Sequence, residues 1–251
     1  MCGEGHSMKN IKHFLMFFAQ LFNGDKAGKI VFYHDIHGIK QYEKTGTPIS
    51  LFKSHFEIAK QHDFSFVKNI PLHEKEVMVC LDDGFKGLWD TKDFFYDLQV
   101  FPTVFLICEK IGKKGYLSEE EILELQRRGF VFQSHGVSHV SLTDCNSDDE
   151  IIYELRESKH RLESMLNTPI TGFCFPRGKM SGKIYKFALA AGYKELYSSI
   201  PGSAKKTLLT RLYRRNLCQD ATPEEFLWIL RGGMGFLQNH YARKQFLGCM
   251  K

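Results

Sequence analysis

Short apolar runs alternate with helical patterns along most of this chain, and that alternation predicts βαβ units around a parallel sheet. Lys29–Tyr33 is the first predicted strand. A helix over Ser50–His62 follows, with Ser50 as N-cap and Phe52, Phe56 and Ala59 on one face. Further strands are expected at Val77–Leu81, Thr103–Cys108, Phe130–Gln133, Thr171–Phe175, Glu195–Ser199 and Leu208–Tyr213. Helices are expected at Leu88–Leu98, from Ser118 to Gly129, from Ser147 through Leu166, and at Ser181–Ala191. Ser118 with Glu121 and Ser147 with Glu150 have capping-box spacing, and Thr222, Pro223 and Glu225 open a final helix. No linker or repeat divides the series. The fold class expected is α/β: an irregular seven-stranded (β/α) barrel in a single domain.

Composition changes this picture little. With 251 residues, 43% of them hydrophobic, the chain can fill one full core. The net charge of +5 is spread over the helices, and with no nucleic-acid motif beside it no nucleic-acid partner is expected. Seven widely spaced cysteines without a Cys-x-x-Cys pair argue against a cysteine zinc site and fit a reducing compartment. No run approaches the ~18 apolar residues of a membrane span. The segment Ile11–Phe22 is strongly apolar, is accompanied by Lys9 and Lys12, and precedes no small-residue cleavage site. A signal peptide is one reading; the favoured one is a helix lying on the barrel or on a membrane surface. The expected division is 1–28 as apolar helix or leader, 29–231 as barrel and 232–251 as tail. The expected location is cytoplasmic, free or peripheral at the inner face of the membrane, with export as the alternative.

Candidate chemistry sits at predicted strand ends. VMVCLDDG, Val77–Gly84, ends in two adjacent carboxylates, and SHGVSH, Ser134–His139, supplies two histidines four residues apart. Active sites of β/α barrels lie at the C-terminal ends of strands, where Asp82, Asp83, His135 and His34 all fall. Asp83, His135 and His139 are three ligands of divalent-metal type; catalytic zinc sites commonly use three and keep a position for water. Asp82 is then a spare carboxylate able to take a proton. Alone, DDG reads as a turn or N-cap and His-x-x-x-His as a helix start. Their conjunction at equivalent strand ends favours a site.

With these motifs the chain resembles the polysaccharide deacetylase family, carbohydrate esterase family 4. CLDDGF is similar to its first motif, usually TFDDG, and SHGVSH to its second, H-[ST]-x-x-H. FCFPRGK, Phe173–Lys179, is similar to the third, FRPPYG or FAYPYG, and IVFYHDI, Ile30–Ile36, to the YHxI segment of many bacterial members. The resemblance runs from about Lys29 to Arg231. It implies hydrolytic N-deacylation, usually deacetylation, of an amino sugar in a glycan or glycan precursor, by water activated on one divalent ion, usually Zn2+. It makes Asp82 the general base, Asp83, His135 and His139 the metal ligands, and the backbone N–H of Arg177 an oxyanion donor. The late Leu-x-His motif that carries the general acid in many members is missing. In rearranged members the N-terminal strand carries it, which assigns the acid to His34; His240 reads as a surface residue. Three departures stand out. Leu81 replaces a phenylalanine, Arg177 replaces an aromatic residue, and Cys174 stands where some members carry a base-orienting arginine, for which Arg177, Arg211 and Arg214 are the candidates. Two alternatives remain: a lipid-linked sugar deacylase at the membrane face, and a catalytically silent glycan-binding barrel.

Overall fold

The computed structural model describes residues 13–21, 25–71, 73–204 and 209–246. Residues 13–21 form helix α1. The chain continues as β1 (Lys29–Tyr33), β2 (Ile36–His37), β3 (Thr47–Pro48), α2 (Ile49–Gln61), β4 (Ser65–Val67), β5 (Glu76–Asp83), α3 (Gly87–Asp90), α4 (Lys92–Asp97), β6 (Thr103–Leu106), α5 (Glu119–Arg127), β7 (Val131–Ser134), α6 (Asp148–Leu166), β8 (Gly172–Cys174), α7 (Gly182–Ala190), β9 (Glu195–Tyr197), β10 (Leu212–Tyr213), β11 (Asn216–Leu217), α8 (Pro223–Leu230) and α9 (Gln238–Gln245).

The main sheet is parallel throughout, in the order β10-β9-β8-β7-β6-β5-β1-β11, with β4 beside the start of β5. Its two outermost members, β10 and β11, are separated only by Arg214 and Arg215. Leu212 is in register with Leu196 of β9, and Asn216 with Val31 of β1. One stretch of chain therefore spans the seam, and seven staves curl into the expected barrel. The irregularity lies in this split stave. The predicted last strand, Leu208–Tyr213, is corrected accordingly: Leu208 lies outside the described residues, the strand begins at Leu212, and a second half follows past Arg215. The break is held by Asn216, whose side-chain amide donates to the carbonyls of Ile30 (3.1 Å) and Gly202 (2.9 Å).

Alternation along the strands sorts the apolar side chains into two cores. Ile30, Phe32, Met78, Cys80, Phe105 and Cys174 fill the barrel interior. Val31, Tyr33, Val77, Val79 and Leu81 face the helices in the larger outer core. Leu81 is thus a helix-facing residue, so the exchange of a phenylalanine for it is absorbed away from the barrel mouth.

Local chemistry explains where elements differ from expectation. The predicted helix Leu88–Leu98 breaks at Thr91, whose hydroxyl bonds back to the Gly87 carbonyl (2.8 Å) and reaches that of Ile36 (3.4 Å). Helix α2 starts after Pro48 without a side-chain cap, so Ser50 is not its cap. The capping boxes at Ser118 and Thr222 form in full. At Ser147 only half forms: its hydroxyl accepts from the Glu150 amide (3.2 Å), while the Glu150 carboxylate takes the Asn146 amide (2.6 Å). The predicted strand Thr103–Cys108 stops at Leu106; a 3-10 turn, Cys108–Lys110, follows and binds the carbonyls of Gly136 and Val137.

Helix α1 rests on α8. Met16 and Ala19 are buried, and the His13 ring meets Trp228 edge-on at 4.5 Å. The predicted bounds Ile11 and Phe22 lie outside the described residues. No helix among the described residues is long and apolar enough to cross a membrane. Within the segment set apart as a tail, α9 packs against the third-motif loop: Phe246 is buried and the Met180 amide donates to the Gln245 carbonyl (3.0 Å). His240 lies exposed on that helix.

Candidate active site

Asp82 follows Met78 and Cys80 on the inward face of β5, so alternation alone points its carboxylate into the barrel. It is 3% exposed. Arg215, fully buried in the split stave, meets it in a parallel fork, Nη1 to Oδ1 at 2.6 Å and Nη2 to Oδ2 at 2.8 Å. The guanidinium lies over the Phe32 ring, 4.2 Å from its centroid, and near Phe105. Burial pushes the Asp82 carboxyl up, but the Arg215 charge and hydrogen bonds overcome it and hold it at about 2. The arginine that holds Asp82 is therefore Arg215, not Arg177, Arg211 or Arg214. Cys174 leaves room for it: the same guanidinium donates to the Cys174 Sγ at 2.9 Å.

Asp83 would face the helices if β5 continued straight. Its backbone instead turns into the left-handed region, φ 73°. That turn brings Asp83 Oδ1 to 3.4 Å from both His135 Nε2 and His139 Nε2. Gly84 follows with φ 78°, where a Cβ would stand 2.7 Å from a Leu106 methyl. His139 (φ 69°) and Arg177 (φ 57°) share the left-handed conformation, so one such non-glycine residue marks each of the three motifs. Uncommon backbone of this kind is retained where surrounding structure holds it, and it clusters at functional sites.

The three ligand atoms fit a metal ion. Asp83 Oδ1 is buried and has no hydrogen-bond partner among the described residues. Bonds of about 2.1 Å to a tetrahedral ion would set ligand atoms roughly 3.4 Å apart, the spacing seen. Burial raises the Asp83 carboxyl to about 6, lowers His135 to about 3 and lowers His139. Every charged form is disfavoured, which leaves converging lone pairs whose desolvation a cation would offset. His135 Nδ1 donates to the Cys174 carbonyl at 2.7 Å, fixing the tautomer that bares Nε2. A second trio, Asp82, His135 and Cys174, also lies within 4.8 Å. We reject it, because Arg215 occupies both Asp82 oxygens and the Cys174 sulfur.

Glu154, 4% exposed on α6, braces the histidine loop. Its carboxylate accepts from the Val137 amide (2.7 Å), the Ser138 amide (3.2 Å) and the Ser138 hydroxyl (2.6 Å). Sequence reasoning passed over it, yet a signal existed: Glu154 falls on the stripe of Ile151, Leu155 and Leu162, a carboxylate on an apolar helix face.

His34 follows β1 at the barrel mouth, half-buried, and its charge acts on Asp82, Asp83 and His139. Its Nδ1 lies 2.8 Å from Gln219 Oε1, so Nδ1 donates and Nε2 is left available. Its neighbour Asp35 shapes the following loop, accepting the amides of Tyr42 and Glu43. Arg177 is exposed, in the turn Pro176–Gly178.

Comparison with known proteins bears on these features. The family model described as polysaccharide deacetylase matches residues 69–196. YxkH of Bacillus subtilis (strain 168), which carries a polysaccharide deacetylase name, is 27% identical over 134 residues, 53% of this chain and 48% of its own. The match thus spans about half the length of that relative. Among solved structures, the deacetylase PplD of Streptococcus pyogenes in complex with acetate aligns with a TM-score of 0.70 at 21% identity, over 80% of this chain and 97% of its own. IcaB of Ammonifex degensii gives 0.70 at 16% identity, over 84% and 98%. Both share the barrel.

Proposed function

The chain belongs to the polysaccharide deacetylase family, and from that premise we propose that it is a metal-dependent hydrolase removing an N-acyl group, usually acetyl, from an amino sugar of a glycan or glycan precursor. The observation that carries this reading is the unpartnered Asp83 Oδ1, 3.4 Å from two bare imidazole nitrogens and beside a second carboxylate locked by an arginine.

Asp83, His135 and His139 would hold one divalent ion, zinc by the usual preference of this ligand set. Such an ion would polarise the acyl carbonyl and acidify water. Asp82 is placed to accept the proton of the attacking water. Arg215 keeps it ionised through the working pH range but also makes it a weak base, so it can serve only a strongly acidified water. The Arg177 amide is the donor for oxygen charge developing on the carbonyl. His34, oriented by Gln219, gives its proton to the departing amine nitrogen, which leaves poorly unless protonated. The products are a carboxylate and a free amino sugar.

The test combines metal analysis of the purified chain with mass spectrometry of N-acetylated glycans. We expect one divalent ion per chain and loss of acetyl. Asp82→Asn should keep the metal and lose turnover; a variant that loses both in proportion would reverse the roles of Asp82 and Asp83. A glycan-binding barrel that retains metal yet never releases acetate would refute the reading.

A further inference from the structure

Helix α1 buries the smaller part of its apolar surface. Met16 and Ala19 face α8, at 1% and 9% exposure, and Phe17, 40% exposed, still meets the Trp228 ring at 5.6 Å, while Phe14 (61%), Leu15 (43%) and Leu21 (60%) face outward. Leu217 and Phe236, 44% and 37% exposed, extend the apolar surface of this side: Leu217 lines a small hollow with Met16, and Phe236 follows the Gly233 turn that abuts the Met16 carbonyl. Soluble surfaces rarely leave so many large apolar side chains together without a partner.

Charge identifies the partner. Residues 13–21 contain no acidic side chain, Lys9 and Lys12 precede them in sequence, and the chain carries a net +5. At the other end of α1, Leu21 borders a hollow of about 420 Å³ that is also lined by Lys26, Lys75 and Arg231. Asp63 shares that hollow and pairs with Lys75 at 3.1 Å, so the cations there outnumber the acid; the hollow of Met16 and Leu217 carries Asp220 and Glu225, the latter 3.4 Å from His13, so the cationic edge lies at the Leu21 end. Aromatic and aliphatic side chains on one helix face with flanking cations are the chemistry of an interfacial helix on anionic lipid.

The buried side of the same helix borders the candidate active site. Met16 lines its small hollow with Gln219, and Gln219 is the residue that accepts from His34 Nδ1 at 2.8 Å. Gln219 thus borders both the hollow beneath Met16 and the candidate acid.

We propose that the outward face of α1 docks on an anionic lipid bilayer, so that the acylated amino sugar reaching the barrel mouth is borne by a membrane-held glycan. The second half rests on the hydrolase reading above; the docking does not.

Flotation of the full chain with phosphatidylcholine vesicles, with and without phosphatidylglycerol, tests the docking. Binding is expected with phosphatidylglycerol, weakening with added salt, and should fall by roughly tenfold or more in Phe14→Glu/Leu21→Glu. That variant alters exposed positions only, so its melting temperature and its activity on soluble N-acetylated chito-oligosaccharides should be unchanged. Under the same proposal, a lipid-linked substrate in vesicles should be hydrolysed faster by the parent chain than by the variant. Undiminished flotation of the variant would overturn the proposal. So would failure of the parent to float, and a dimer seen by sedimentation that the double substitution dissolves would then show that a second copy covers this face. Flotation without hydrolysis of any substrate would defeat the hydrolase reading and leave the docking standing.

Discussion

Arg215 and Asp82, 133 residues apart in sequence, lock together through two parallel hydrogen bonds of 2.6 and 2.8 Å inside the barrel. Removing one partner of a buried ion pair strands the other charge and costs about 3–5 kcal/mol. Arg215→Met should therefore lower the denaturation midpoint strongly and abolish turnover. The double variant Asp82→Asn/Arg215→Met should recover much of the stability and none of the activity. Because Cys174 Sγ touches the guanidinium, the exchange Cys174→Arg/Arg215→Cys should restore part of the activity that Arg215→Cys loses. Chemical denaturation and deacetylation assays on the set decide the matter.

The same pair sets an acid limit. The Asp82 carboxyl is held at about 2 when folded, against 3.8 unperturbed. Its stabilisation is fully present above pH 3.8 and is lost as pH falls through the folded value. Acid unfolding of Asp82→Asn should lack that component of the slope between pH 4 and 2.

Asp83 has the opposite sign. Burial raises its carboxyl from 3.8 to about 6, so in the metal-free protein its contribution is present below pH 3.8 and lost as pH rises through 6. At pH 7.5 metal-free Asp83→Asn should melt a few degrees above the metal-free parent, and the gain should vanish near pH 4. Added zinc should raise the parent's Tm and leave the variant's unchanged. Because the ligand must lose its proton, metal affinity of the parent should fall below about pH 6. Differential scanning fluorimetry with and without chelator measures all of these.

Glu154 should act on the metal without touching it. Replacing a carboxylate that accepts two amides and a hydroxyl removes the brace of the loop from His135 to His139. Loss of such supporting groups costs about 10–100-fold in metal affinity. Chelator competition on Glu154→Gln should show that loss, with activity returning at saturating metal.

For His34, substitution by Ala should cut kcat by about 10²–10⁴-fold while metal content persists. Gln219→Leu, which frees Nδ1, should produce a smaller loss and shift the alkaline limb of the pH–rate profile. Activity surviving His34→Ala and vanishing in His240→Ala would move the acid to α9.

The barrel and the gathering of Asp83, His135 and His139 were legible because both depend on local order. A run of apolar residues ending in DDG announces a strand and its mouth, and two histidines four residues apart turn one way. What escaped the sequence was pairing across the barrel. Arg215 carries no motif that distinguishes it from Arg211 or Arg214; its inward direction comes from the broken stave, which only closure of the sheet creates. The hydroxyl of Thr91 similarly breaks a helix whose apolar pattern runs on without interruption. Glu154 could have been found, since its place on an apolar face asks what satisfies it. The left-handed turn at Asp83 could not, because alternation sends that side chain the other way.

The split stave also governs when the protein can work. Val31 must find Asn216 before the seam shuts, and only then does the guanidinium of Arg215 reach Asp82. During synthesis the ligand loops leave the ribosome long before the residues that complete the proton acceptor. A nascent or partly unfolded chain can bring Asp83, His135 and His139 together while the Asp82 carboxylate still lacks its counter-charge. Under the proposed function, hydrolysis would wait until residues 212–217 are in place, which would make the finished sheet a checkpoint on the chemistry it encloses.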